Sequence, residues 1–313
     1  MELFSNFNLN KIAFEQKIVQ DLLFIGNISF DKITSRSGIS RCVIGGGAYN
    51  SAYCASLVSN LKIKVFSVVG KDFPISIIKD RGIDVSGIHI VEEHSNTFII
   101  NEQSGDIFFE NNQPLEFHLN NKEHAKHVHI SCRKGIRYPY LCLKNTIYHS
   151  SSTDVISSSL KEKIDEIKKC LKAINMLFLN NYEYDMLNKC LDIETAHLFP
   201  KVIIFITKGK GGVTVKKHKK EISFPGINIK KEDIVSTTGS GDAFIGGFLG
   251  SYYSSRPFCE SLAIGVSIAT LSIQDFGISH VTNKLSVLDE YFNKLMPIYK
   301  QKEHEIYEFL QER

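Results

Sequence analysis

Residues Ser236 to Phe244 read STTGSGDAF and stand between a β-like run and a long apolar stretch. Glycine tolerates positive φ and lets other groups approach its backbone, so Thr237-Thr238-Gly239-Ser240-Gly241 can turn tightly. The residues that follow, AFIGGFLGSYY, continue as a helix whose first N–H groups lack intrahelical partners. Those donors, with the positive end of the helix dipole, make an anion site. Asp242 then falls in the first turn, beside the anion. There its carboxylate can accept a proton from an attacking hydroxyl, while the backbone of Gly239, Ser240 and Gly241 stabilises charge on a transferring phosphoryl group. The same spacing also fits a plain helix start in which Asp242 is a cap and the glycines only permit the turn. The stretch alone leaves both readings open.

Upstream of this turn, apolar β-like runs recur at Leu22–Ile25, Val65–Val69, His127–Ile130, Met176–Leu179 and Val202–Thr207, with helical patterns such as Ala48–Leu61 and Ser157–Ile174 between several of them. That alternation predicts an α/β fold with a mostly parallel central sheet and helices on both faces. Short alternating segments in Ile33–Ile44 and Thr97–Asn111 read instead as hairpins, which predict a small β-sheet lid from about 30–44 and 95–112. No fixed-period repeat, low-complexity linker or Pro/Gly-rich boundary divides the chain, so residues 1–313 read as a single domain with that lid. Segment 131–159 has turn residues and no clear period, and the sequence assigns it no role.

A 43% hydrophobic content supplies a sizeable core, and a net charge of +3, evenly spread, gives no reason to expect a nucleic-acid partner. Ala243–Tyr253 and Ser261–Ile273 are each too short to span a bilayer and read as buried helices, so no membrane partner is expected. Seven scattered cysteines without a C-x-x-C pair suggest neither a disulfide framework nor a zinc site. With no secretory pattern at the N-terminus, a cytoplasmic setting is the expectation. His94, His124, His127 and His129 lack metal-ligand spacing, and Lys208 to Lys220 reads as a solvated, lysine-rich hairpin. There is no G-x-x-x-x-G-K-[ST] and no G-x-G-x-x-G after a strand.

Several further motifs stand in a fixed order: GNISFD with Gly26 and Asp31, Gly45-Gly46-Gly47-Ala48-Tyr49-Asn50, VVGKDF with Gly70 and Asp72, and Gly82-Ile83-Asp84. Asn180-Asn181-Tyr182-Glu183, Thr207-Lys208-Gly209-Lys210-Gly211-Gly212 and Ser236 to Asp242 follow. Each has a bland alternative as a turn, loop or cap. As an ordered set, from about Leu22 to Gly277, they resemble the PfkB, or ribokinase-like, sugar and nucleoside kinases, whose C-terminal signature is approximately D-T-x-G-A-G-D.

The resemblance implies a Rossmann-like domain with a β lid, ATP and Mg2+ as cofactors, and transfer of the γ-phosphoryl group to a hydroxyl of a small sugar, polyol or related molecule. It makes Asp242 the base, with Gly239, Ser240 and Gly241 as the anion hole. Asp31, Gly45, Gly46 and Asn50 would bind substrate. Asn180, Glu183, Thr207, Gly209 and Gly212 would serve the nucleotide, with Glu183 reaching the metal through water. Three departures stand out: Ser236 replaces the leading aspartate, Asn181 a common glutamate, and Ser240 an alanine. The first leaves dependence on a monovalent cation such as potassium undecided. A nucleoside kinase of the same fold and a non-catalytic ligand-binding regulator are the alternatives. The edges of a lid sheet leave a homodimer open.

Overall fold

Leu22 and Phe24 belong to one buried apolar cluster, Leu23 and Ile25 to another. Met176 and Phe178 against Leu177 and Leu179, and Ile203 and Phe205 against Ile204 and Ile206, repeat the division. Side chains alternate along a strand, so strands apolar on both faces must be covered on both.

The computed structural model describes residues 20–110, 123–132, 139–144, 146–155 and 157–311. In chain order come β1 (Gln20–Ile25), β2 (Ser29–Thr34), β3 (Ser40–Gly45), α1 (Gly47–Val58), β4 (Ile63–Gly70), α2 (Ser76–Lys79), β5 (Asp84–Val91), β6 (Thr97–Asn101) and β7 (Asp106–Glu110). They are followed by β8 (Glu123–Cys132), α3 (Pro139–Lys144), β9 (Thr146–Val155), α4 (Ser157–Ala173), β10 (Met176–Asn180), α5 (Asn181–Leu191), α6 (Thr195–Leu198) and β11 (Ile203–Thr207). The hairpin β12 (Val213–Lys217) and β13 (Lys220–Phe224) leads to α7 (Ser240–Tyr253), α8 (Phe258–Ser272), α9 (Leu285–Lys300) and α10 (Glu303–Gln311).

The large sheet has the order β13-β12-β11-β10-β9-β8-β1-β4-β5 and is parallel from β11 to β5, with the β12–β13 hairpin antiparallel at one edge. The expected α/β architecture is the one the chain adopts. From β1 the chain builds outward to β4 and β5, then returns to β8 on the other side of β1 and builds outward again. Such a reversal leaves a crevice beyond the C-terminal ends of the strands. Gly26, Asn180 and Thr207 all stand at those ends.

A second sheet, β3-β2-β6-β7, pairs Asp31 with Val43 and Phe98, and Phe98 with Phe109, which sets these four residues on one face. β2 begins at Ser29 and β3 ends at Gly45, each one residue beyond the expected 30–44 lid segment, while β6 and β7 lie within 95–112; residues 111 and 112 of the expected lid lie outside the described residues. Helix α1, expected to reach Leu61, stops at Val58, where Ser59 is extended and its hydroxyl donates to the Ala55 carbonyl.

Segment 131–159, unassigned from sequence, supplies the end of β8, α3, β9 and the start of α4, with 133–138, 145 and 156 outside the described residues. Serine-rich β9 disguises a central strand because its polar side chains have buried partners. His127 contacts Ser150 Oγ (3.0 Å) and Ser152 Oγ (2.7 Å), and His129 contacts Ser152 Oγ (2.9 Å). Tyr253 Oη at the end of α7 joins at 2.8 Å from His127 Nδ1. Burial first, then neighbouring His129, hold the His127 pKa well below the ordinary histidine value.

Helix α7 is also fixed to the sheet through aromatic rings. Phe248 lies 4.7 Å from Phe205 and 6.0 Å from Phe178, and those two rings stack at 4.6 Å. Such pairs contribute about 0.5–1.5 kcal/mol each beyond their buried area. The sheet thereby sets the position of the α7 N-terminus.

Candidate active site

Gly239 is the N-cap of α7, with φ 81° and ψ −2°, a left-handed conformation that glycine adopts at low cost. A Cβ there would also come within 2.9 Å of Asn50 Nδ2. Ser240 and Gly241 open the helix, and Gly241 is exposed with no atom within 4 Å of where a Cβ would stand. Asp242 is in the first turn and only 2% exposed. The helix has no side-chain N-cap; Asp242 Oδ2 instead accepts a hydrogen bond from Asn50 Nδ2 of α1 at 3.1 Å. Burial, and then the charge of Asp242, push the nearby Cys54 thiol pKa well above its ordinary value, so this cysteine is not a thiolate nucleophile.

Helices α1 and α7 meet this closely because α7 carries glycine at the contact. A Cβ on Gly246 would fall 2.1 Å from the Ser51 carbonyl oxygen, and one on Gly250 2.8 Å from the Ala55 backbone. Ser51 Oγ completes the junction by donating to the Asp242 carbonyl at 3.1 Å. The two helix N-termini therefore lie side by side, and both dipoles favour negative charge in the same place.

At the start of α1, Gly46 has φ 95°, and a Cβ on it would strike the Asn27 carbonyl at 2.3 Å. Gly45 lies against Asp31: a Cβ would fall 1.8 Å from Asp31 Oδ2, while Asp31 Oδ1 accepts from Ser29 Oγ at 2.8 Å. Asp31, Gly45, Gly46 and Asn50 are thus brought together. Asn50 Oδ1 and Asn27 Nδ2 are buried and, among the described residues, meet no hydrogen-bond partner. A buried acceptor and a buried donor left unmatched carry a penalty of about 1–3 kcal/mol each, which a polyhydroxylated molecule could relieve. Asn27 was passed over in the sequence, where only Gly26 and Asp31 of GNISFD carried a motif.

Asn180 and Glu183 form a capping box on α5. The Glu183 amide donates to Asn180 Oδ1 at 2.9 Å, and the Asn180 amide to Glu183 Oε2 at 2.8 Å. Asn180 pairs with Thr207 across β10 and β11, and Gly209 follows with open space on its Cβ side. Gly212 differs from these: a Cβ there would collide with the Phe224 carbonyl at 2.1 Å, so its glycine serves the turn into β12. Among the described residues no three His, Cys, Asp or Glu side chains cluster as metal ligands. The carboxylate that is present, Glu183 in the first turn of α5, fits a divalent ion carried mainly by phosphates and water.

One acidic residue that no motif marked also reaches the site. Glu102, in the turn after β6, directs Oε1 at the 236–238 loop. A cavity of about 770 Å³ lies elsewhere, lined by Ser59, Asn60, Arg256, Asp289 and Phe292 at the far end of α1, and includes none of the residues above.

Among the described residues no helix is long and apolar enough to cross a membrane. The pfkB family carbohydrate kinase profile matches residues 27–284. The chain is similar to a cytidine kinase of Thermococcus kodakarensis, 26% identical over 283 residues that cover 84% of this chain and 99% of the relative. The crystal structure of the Methanocaldococcus jannaschii nucleoside kinase superposes with a TM-score of 0.74 at 21% identity, over 88% of this chain and 98% of that one. A Cryptococcus neoformans ribokinase in complex with ADP superposes with a TM-score of 0.70 at 15% identity, over 87% and 99%.

Proposed function

The chain belongs to the pfkB family of carbohydrate kinases and is an ATP-dependent phosphotransferase acting on a hydroxyl group; from that premise we propose that it transfers the γ-phosphoryl group to a small sugar, polyol or related molecule, with Asp242 as general base. The observation that carries this reading is the buried Asp242 carboxylate, bonded to Asn50 between two helix N-termini. It takes the proton of the attacking hydroxyl as the new O–P bond forms and the bond to ADP breaks. The Gly239 and Gly241 amides face the negative charge that develops on the phosphoryl oxygens; the Ser240 amide, expected to join them, donates instead to the Thr237 carbonyl at 3.3 Å and closes the turn.

Asp31, Asn50 and the backbone of Gly45 and Gly46 bind the acceptor's hydroxyls in this reading. Asn27, through its buried Nδ2, joins them. Thr207 and Gly209 lie along ATP; Gly212 supports their turn. Glu183 would hold a magnesium ion through water, and the ion would supply neutralisation of phosphate charge.

A nucleoside acceptor is the second reading, favoured by one observation. Phe98 and Phe109 form an edge-to-face pair at 5.0 Å on the sheet face that carries Asp31. An aromatic platform beside a carboxylate suits a planar base attached to a ribose. ATP consumption measured with pentoses, hexoses, polyols and nucleosides separates the two. Turnover with a sugar or polyol supports the first reading, turnover confined to nucleosides the second, and turnover with none would end both.

A further inference from the structure

Glu102 lies in the β6–β7 turn, and a single one of its oxygens collects the loop that precedes α7. Oε1 accepts from Ser236 Oγ (2.8 Å), the Thr237 amide (2.8 Å), the Thr238 amide (2.9 Å) and Thr238 Oγ1 (2.7 Å), with Thr237 Oγ1 at 3.4 Å. Hydrogen bonds to an ionised acceptor are roughly twice as strong as neutral ones. The donors belong to the three residues that lead directly into Gly239, the N-cap of α7. On its inner side the same loop is tied to the body, since the Val235 and Ser236 amides both donate to the Ile273 carbonyl. What orients the turn from outside is therefore a carboxylate on the small sheet.

Ser236 makes this contact permissible. Its side chain is a donor and only 1% exposed. An aspartate there, as in the signature the loop resembles, would set a second carboxylate against Glu102 in a buried place. In this chain the negative group beside the turn comes from the small sheet, 134 residues earlier in sequence.

We propose that Glu102 is a positioning residue that couples the small sheet to the anion-binding turn, holding residues 236–238 so that Gly239 to Asp242 point at the transferring phosphoryl group when the β6–β7 hairpin is seated. This rests on the reading of Asp242 and the α7 N-terminus as the catalytic site. Glu102 touches no reacting atom. It acts through the loop, so its loss lowers kcat more than it raises KM for the acceptor or ATP.

The test uses the full chain and two independent readouts: amide hydrogen exchange over 235–241 without ligand, and steady-state kinetics. Glu102→Ala is expected to speed exchange of the Thr237 and Thr238 amides about tenfold or more and to lower kcat by a similar factor, with KM changed less than about threefold. Glu102→Gln keeps the shape and one acceptor, carries the test if the alanine variant does not fold, and should fall between Glu102→Ala and the unaltered chain. Ser236→Asp should impair the otherwise unchanged enzyme, and Ser236→Asp/Glu102→Gln should recover, because the glutamine amide can donate where the serine hydroxyl did. Unchanged amide exchange in both Glu102 variants, or a Ser236→Asp defect as large in the Glu102→Gln background as in the unaltered chain, would overturn the coupling. Faster exchange in a chain that turns over no acceptor would support the Glu102 contact and defeat the Asp242 reading instead.

Discussion

Asn50 Nδ2 donates to Asp242 Oδ2 at 3.1 Å, joining the first turn of α1 to the first turn of α7 across 192 residues of sequence. A donor fixed on a buried carboxylate favours its ionised, proton-accepting form. Asn50→Asp replaces that donor with a like charge, which disfavours ionisation of the pair. The acid limb of kcat/KM is expected to move up by about one pH unit or more. Asn50→Ala should lower kcat as well as weaken acceptor binding, since the residue serves both. A pH–rate profile of Asn50→Asp identical to that of the unaltered enzyme would remove Asn50 from the charge relationship.

Gly246 is what allows this distance. A Cβ at this position meets the Ser51 carbonyl at 2.1 Å, and backbone can yield only by moving α1. Gly246→Ala should cost about 1–3 kcal/mol, as overpacking does. Urea unfolding measures the loss, and kcat should drop with it. A fully stable and fully active Gly246→Ala protein would mean that close α1–α7 packing does not set the site.

His127 gives the fold a pH signature. Burial first, and His129 second, depress its pKa in the folded state, so below the unfolded value of about 6.5 the unfolded chain binds more protons than the folded one. Stability is therefore complete above about pH 6.5 and declines as pH falls toward the depressed value, by up to about 1.4 kcal/mol per pH unit. His127→Gln should flatten that part of the stability–pH curve. Parallel curves for the two proteins would show that His127 does not contribute the slope.

The parallel sheet was legible because β1, β10 and β11 are apolar on both faces, a pattern that solvent-facing strands do not show; the order of its strands was not, since nothing local marks which run pairs with which. Residues Gly45 to Asn50 and Gly239 to Asp242 were legible for a local reason: each needs glycine where the backbone turns into a helix. Their meeting was not, because it depends on Gly246, which in the sequence is one more small residue in an apolar helix. Serine-rich β9 stayed hidden since its hydroxyls find partners inside the fold, Ser150 and Ser152 on two histidines of β8 and Ser151 and Thr153 on the Ala173 and Ile130 carbonyls. Glu102 gave no signal at all: an acid in a hairpin turn looks solvated until the fold brings the 236–238 donors to it.

The Ile273 carbonyl accepts from the Val235 and Ser236 amides and Glu102 from residues 236–238, so the loop is held from its two sides by groups of the chain itself. Turnover is expected to be the same in potassium, sodium and choline chloride at fixed ionic strength. Activity that appears only with potassium would contradict this.

Asp242→Asn tests the central claim most directly. Asparagine keeps the size and can still accept from Asn50, but it cannot take the proton. Turnover of an accepted substrate should fall by about 10²–10⁴, while acceptor and ATP affinity, measured by calorimetry, and the unfolding midpoint stay close to those of the unaltered protein. An Asp242→Asn enzyme that folds normally and turns over at the original rate would contradict the assignment of Asp242 as the base.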